Sequence, residues 1–183
     1  MKKFGSRVLI VFIIIIALFF IVKFIKKADT NPEYEIGEAI DSLNGVIVYY
    51  NGGVDNVEGR NVTDDYNVGL RYQCVEFVKR YYFEHYQHKM PESYGHAKSF
   101  FDNSLADGEL NEQRALTQFT NPSVSKPKIG DLLVMDGMVF NRFGHVAIIS
   151  DVSKNRIEVI QQNPGPHAPS RKKLKLIQTE TDH

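Results

Sequence analysis

The stretch 72–86, YQCVEFVKRYYFEHY, constrains the fold more than any other part of the chain. Cys74, Phe77, Val78, Tyr81, Tyr82 and His85 recur at i, i+3, i+4, i+7, i+8 and i+11, which is one face of a helix. Glu76, Lys79, Arg80, Glu84 and Gln87 fall on the other face, with Phe83 as the apolar exception. The pattern predicts an amphipathic helix with a solvated polar face, on which Glu76 and Arg80 form an i, i+4 surface pair. The chain's single cysteine, Cys74, stands in the first turn, at the head of the apolar stripe. The partial positive charge of a helix N-terminus favours thiolate over thiol, and the thiolate is the nucleophile. A lone cysteine is ordinarily a small core hydrophobe, so its neighbours decide which role it has.

Those neighbours read as a sheet. Residues 132–135 (LLVM), 144–149 (GHVAII) and 157–160 (IEVI) are short β-rich runs, and 150–156 is a hairpin connection. Residues 45–50 (GVIVYY) form an earlier run stopped by Asn51, Gly52 and Gly53, and 170–178 reads as a last edge strand guarded by lysines. A short helix is expected over 97–104 and a weak strand over 115–119, while 54–69 reads as turns without periodicity. A helix followed by an antiparallel sheet is an α+β plan. Gly52-Gly53 has neither the spacing nor the Lys-Ser/Thr of a phosphate-binding loop.

Ahead of this lies an unbroken apolar run over 8–22, VLIVFIIIIALFFIV, which Phe24 and Ile25 extend. Its 18 residues to Ile25 make roughly 27 Å of helix at about 1.5 Å per residue, near the ~30 Å hydrocarbon thickness. The segment KFIKKADTN lacks a small-x-small cleavage pattern, which favours an uncleaved signal-anchor over a signal peptide. The expected plan is a transmembrane segment over 1–27, a tether and lead-in over 28–44, and a catalytic domain over 45–183. Three basic residues lie on each side of the run, so charge does not set the topology. The short N-terminus and the large following domain favour a single-pass protein with its domain on the extracytoplasmic side. Six of the 22 basic residues lie in 1–27 with no acid, so the remainder holds 16 basic against 22 acidic residues, a net of −6. Such a domain is a poor general binder of nucleic acid. One cysteine excludes an internal disulfide and any multi-cysteine metal site.

With the hairpin's turn centred between Ser153 and Lys154, His145 lies opposite residues 161–163, and Gln161 and Asn163 share its parity. If the Cys74 helix packs on that face, thiol, imidazole and amide line up as nucleophile, base and base-orienting group. His85 lies 11 residues beyond Cys74, roughly 16 Å along a helix at about 1.5 Å per residue, too far to be the base. His85 and His88 are i, i+3 but have no third ligand nearby, so no metal is expected.

Four fragments in this order are similar to the cysteine- and histidine-dependent amidohydrolase/peptidase (CHAP) family: YQCVEFVKR at 72–80, Pro127-x-Ile129-Gly130-Asp131-Leu132, GHVAII at 144–149, and Gln161-Gln162-Asn163. With Asn51-Gly52-Gly53 ahead of them, the chain looks most like the amidase domains of the glutathionylspermidine synthetase/amidase type. The resemblance implies a papain-like fold, Cys74 as nucleophile and His145 as general base and then acid. It implies Gln161 as the group orienting the imidazole, where the family pattern commonly has Glu. It also implies Asn163 beside or in place of Gln161, and an oxyanion hole from Gln73 and the backbone N–H of Cys74. No cofactor is implied. Three functions follow as expectations: a thiol-dependent hydrolase of peptidoglycan peptide or amide bonds at the cell envelope, an amidase of glutathionylspermidine-like conjugates, or a non-catalytic membrane-tethered binding module.

Overall fold

The computed structural model describes residues 2–139 and 141–177. Gln178, the expected end of the last strand, and His183 lie outside the described residues. Helix α1, Lys2–Lys27, contains a 19-residue apolar stretch, Arg7–Ile25, none of which is buried against the rest of the chain. It is long and apolar enough to cross a membrane.

The remainder is α+β. Helix α2, Cys74–Tyr86, spans the predicted stretch. Four small antiparallel sheets accompany it. The hairpin of β1 (Ala39–Leu43) and β2 (Val46–Tyr49) turns at Asn44-Gly45, and that of β3 (Arg60–Thr63) and β4 (Tyr66–Leu70) at Asp64-Asp65. All four turn residues have positive φ, as a two-residue hairpin turn requires. The strands β5 (Leu110–Asn111) and β6 (Leu116–Thr117) pair briefly, the latter within the predicted weak strand. The main sheet contains β7 (Leu132–Met135), β8 (His145–Ser153), β9 (Arg156–Ile160) and β10 (Arg171–Lys175), in the spatial order β10–β9–β8–β7. The turn between β8 and β9 is Lys154-Asn155, one residue from the expected centre, because Ser153 pairs with Arg156. The expected helix at 97–104 is a single 3-10 turn, Ala97–Phe100.

The central strand β8 is buried on both faces. Val146 and Ile148 meet Phe77, Val78 and Tyr81 of α2, together with Val46, Val48 and Ile160. Ala147 and Ile149 pack on the opposite face with Ile157, Val159, Leu133 and Leu174. Burying each such large side chain contributes about 1.5–3 kcal/mol, so α2 is fixed to the sheet by its apolar stripe.

The polar face of α2 departs from the sequence expectation. Glu76 is 2 % exposed, Lys79 0 % and Arg80 7 %, so Glu76–Arg80 is a buried pair and not a surface one. The cause is the β3–β4 hairpin, which lies over this face and was unread in the turn-rich segment 54–69. Asn61 Nδ2 donates to Glu76 Oε1 at 2.9 Å, and Lys79 Nζ donates to the carbonyls of Asn67 and Ser93. Burial pulls the Lys79 pKa down to about 8. Gly69 allows the close approach: a Cβ there would stand 3.0 Å from Glu76 Cα. The stretch 28–44 carries β1 and is held to the domain by side-chain bonds at Asp29 and Asn31.

Candidate active site

Tyr72, with φ of 65°, turns the chain out of β4, and Gln73 in extended conformation caps α2. The first helical bond runs from Phe77 N–H to Gln73 O at 3.2 Å. The N–H groups of Cys74, Val75 and Glu76 therefore have no partner in the helical ladder, as at any helix start. The Cys74 sulfur faces the backbone N–H of Val146, the residue after His145. One peptide group thus separates the thiol from the strand position that carries the imidazole. Among the described residues no hydrogen bond joins the sulfur to the ring. Burial pushes the Cys74 thiol up; the N–H groups of Val146, Val75 and Cys74 itself oppose this without overcoming it.

His145 is the first residue of β8 and pairs with Met135 of β7. Gly144 before it has φ of 76°, and a Cβ there would stand 2.5 Å from Met135 O. The imidazole Nε2 lies 3.0 Å from Gln161 Oε1, while Gln161 Nε2 donates to Pro169 O at 3.2 Å. The second contact fixes the first. Pro169 O can only accept, so the amide nitrogen faces it and the amide oxygen faces the ring. An oxygen acceptor requires the proton on Nε2, which leaves the lone pair of the neutral ring on Nδ1. That tautomer is ready to take a proton at Nδ1. Burial pulls the His145 pKa down; the Gln161 bond raises it and Lys172 lowers it further. Both shifts favour the neutral form of the group, thiol and imidazole alike.

The expectation that α2 covers the His145 face is corrected. Its body covers the face of Val146 and Ile148, and His145 has the parity of Ala147 and Ile149. The thiol instead meets the strand at its first peptide, through the Val146 N–H. Two further expectations change. Asn163 does not meet the imidazole: its backbone is left-handed, φ 58°, and its Nδ2 donates to Val54 O at 2.9 Å and Gln73 Oε1 at 2.8 Å. Gln73 does not present a free amide as an oxyanion donor, because its Nε2 donates to Asn56 O at 2.6 Å and Val54 O at 3.3 Å. Both side chains instead fasten the 51–56 loop beside Cys74. The Cys74 N–H remains outside the helical ladder.

Gln162, fully buried, was not anticipated. Its Oε1 accepts from Tyr49 N–H at 2.8 Å, and its Nε2 donates to Gln73 O at 3.0 Å and Glu76 Oε2 at 2.9 Å. It ties the end of β9 to the turn that presents Cys74. The only sequence signal for this was its parity, opposite to that of Gln161. His85 and His88 diverge, toward Asn44 Nδ2 and Arg114 O. A groove of about 1650 Å³ opens on the side of the sheet bounded by Leu133, Met135, Ile149 and Leu174; neither Cys74 nor His145 lines it.

Replacing Gln161 by Glu tests the tautomer argument. A carboxylate near Nε2 favours imidazolium, so the His145 pKa is expected to rise. Below its pKa the ring is charged and cannot accept the thiol proton, so the acid limb of activity moves to higher pH. Iodoacetamide alkylation of Cys74 followed against pH reads the same shift. An acid limb left in place would refute the assignment. The variant also loses the donation to Pro169 O and is expected to be less stable by about 1–3 kcal/mol.

A thiol heading a helix and a histidine fixed at the start of a packed strand define a cysteine–histidine site on an α+β scaffold. The CHAP domain model matches residues 64–163, and the chain belongs to that family of amidohydrolases and peptidases. The chain is 28 % identical over 148 residues to the bifunctional glutathionylspermidine synthetase/amidase of Escherichia coli (strain K12), covering 75 % of this chain and 24 % of that protein. The Shigella flexneri protein of the same description matches to the same extent. Trypanothione synthetase of Crithidia fasciculata is 28 % identical over 104 residues, covering 57 % of this chain and 16 % of that protein. The chain thus spans a quarter or less of the length of these relatives.

Proposed function

We propose that this chain is a thiol-dependent amide hydrolase with a papain-like arrangement, anchored by α1 and acting on peptidoglycan peptide or amide bonds at the cell envelope. The observation that carries the reading is the His145–Gln161–Pro169 chain of contacts, which directs a basic Nδ1 from the strand position beside the Cys74 sulfur. His145 Nδ1 takes the thiol proton as sulfur bonds to the amide carbonyl carbon. The developing oxyanion is met by Cys74 N–H. The C–N bond breaks, the amine leaves with the proton from imidazolium, and a thioester remains. Water, deprotonated by the same Nδ1, attacks the thioester, releases the acid and restores the thiol. No step calls for a cofactor.

A second reading has its own support. The most extensive of the similarities above is to proteins described as glutathionylspermidine synthetase/amidases, so a small glutathione–polyamine conjugate is the alternative substrate. An acidic domain suits a cationic polyamine. The 28–183 fragment, offered purified peptidoglycan and glutathionylspermidine separately, separates the two by the amine released from each. Turnover of neither would favour a binding module on the same fold.

The anchor reading predicts that protease added to intact cells digests the domain while α1 survives. Complete protection would place the domain in the cytoplasm and favour the conjugate.

A further inference from the structure

The end of α1 is gripped by the loops that frame the site. The apolar stretch of α1 ends at Ile25, and Ala28 N–H still donates to Phe24 O at 2.8 Å. Each of the next three residues bonds to the domain. Tyr50 OH donates to Asp29 Oδ1 at 2.6 Å, Thr30 Oγ1 lies 2.9 Å from His167 Nε2, and Asn31 Nδ2 donates to Pro166 O at 2.8 Å. Asp29 also lies against Gly52, where a Cβ would stand 2.9 Å from Oδ2. Tyr50 is buried and its ring stacks against Tyr34 at 5.5 Å.

These partners lead directly to the nucleophile. Tyr50 and Gly52 flank Asn51, whose buried Nδ2 holds Gly53 O at 3.1 Å and Asn56 O at 3.4 Å. Gln73 Nε2 holds the same Asn56 carbonyl, and Gln73 is the residue before Cys74. Pro166 and His167 follow shortly after Asn163, which also bonds Gln73. The path from the anchor to the sulfur therefore runs through fixed contacts. Three residues lie between Ile25 and Asp29, four Cα steps or at most about 14 Å of chain. A slack linker would let the domain range through the space beyond the membrane; this one has no slack.

We propose that residues 29–31 are a positioning element that seats Cys74 at the bilayer surface, and that the substrate is an amide carried on a membrane-borne molecule. The proposal rests on the reading of α1 as a membrane span and of Cys74 as the nucleophile of an amide hydrolase. It narrows the envelope substrate to the layer next to the lipid.

The test uses the full chain in phosphatidylcholine vesicles. One reagent is a maleimide attached to the headgroup of a phosphatidylethanolamine in the same vesicles; the other is soluble N-ethylmaleimide. Cys74 is the only cysteine, so one mass shift reports one site. A 24-residue Gly/Ser spacer inserted between Lys27 and Ala28 leaves residues 29–31 docked but lets the domain move off by about 25 Å. The spacer is expected to slow labelling by the lipid reagent at least fivefold and to change the soluble rate by less than twofold. Equal lipid-reagent rates with and without the spacer would overturn the proposal. So would a wild-type chain labelled by the soluble reagent alone. A Cys74 that reacts with neither reagent would overturn the nucleophile reading itself, and this proposal with it.

Discussion

Hydrolysis by the Cys74→Ala variant is expected to fall by about 10⁴-fold or more, because the proposed mechanism bonds the only thiol in the chain to the carbonyl carbon. Removal of His145 should cost nearly as much, and the double variant little more than either alone, since the two groups act as one device. In the proposed mechanism neither acts without the other. Burial holds the thiol above its ordinary range and the imidazole below its own, so the sulfur becomes a nucleophile only when Nδ1 takes its proton. Cys74 packs at the margin of the core, and truncation to Ala leaves the Phe77, Val78 and Tyr81 contacts of α2 in place. The variant should therefore fold, with an unchanged circular dichroism spectrum. Amine release from the substrate that the wild type turns over is the measurement. A Cys74→Ala protein retaining more than about a tenth of wild-type turnover would sink the mechanism.

Glu76→Ala is expected to destabilise the domain by about 3–5 kcal/mol, the range for breaking one side of a buried ion pair. The carboxylate accepts from Arg80 Nε at 2.7 Å, Asn61 Nδ2 at 2.9 Å and Gln162 Nε2 at 2.9 Å. Its removal strands a buried cation and two buried amides at once. Arg80 cannot turn out to water, because its Nη2 is held by Ile47 O at 2.7 Å and its guanidinium lies 5.0 Å from the Tyr49 ring. Changing both Glu76 and Arg80 to Met should recover more than half of the loss, since paired charges are replaced by apolar volume without an orphan. Denaturant midpoints at constant m-value measure both. A single Glu76→Ala loss below about 1 kcal/mol would mean that water already reaches the pair. Because Gln162 joins Glu76 to the Gln73 carbonyl, the same variant is also expected to loosen the turn ahead of Cys74.

These two variants mark where the sequence was legible. The helix, its register and its thiol followed from periodicity, because the apolar stripe of α2 does pack on the sheet. The β8–β9 hairpin could be placed within a residue, since Ile157 and Val159 alternate toward one face, and that put His145 near the right amides. The choice between amides was not visible. It depends on the backbone at Asn163 turning left-handed and on a carbonyl from Pro169, which lies eight residues beyond Gln161. The polar face of α2 misled because a stripe of Glu, Lys and Arg looks like solvent when its cover is itself polar. Asn61, Asn67 and Ser93 supply that cover, and no hydrophobic pattern announces them. Parity alone could not foresee that α2 packs on the face of Val146 and Ile148, opposite in parity to His145.

The buried thiol has a consequence for durability. Thiolates, not thiols, attack peroxide and disulfides, so a thiol whose pKa is raised by burial is slow to form sulfenic acid or a mixed disulfide. By holding the Cys74 thiol above its ordinary range, burial at the head of α2 slows the loss of this sulfur to oxidation.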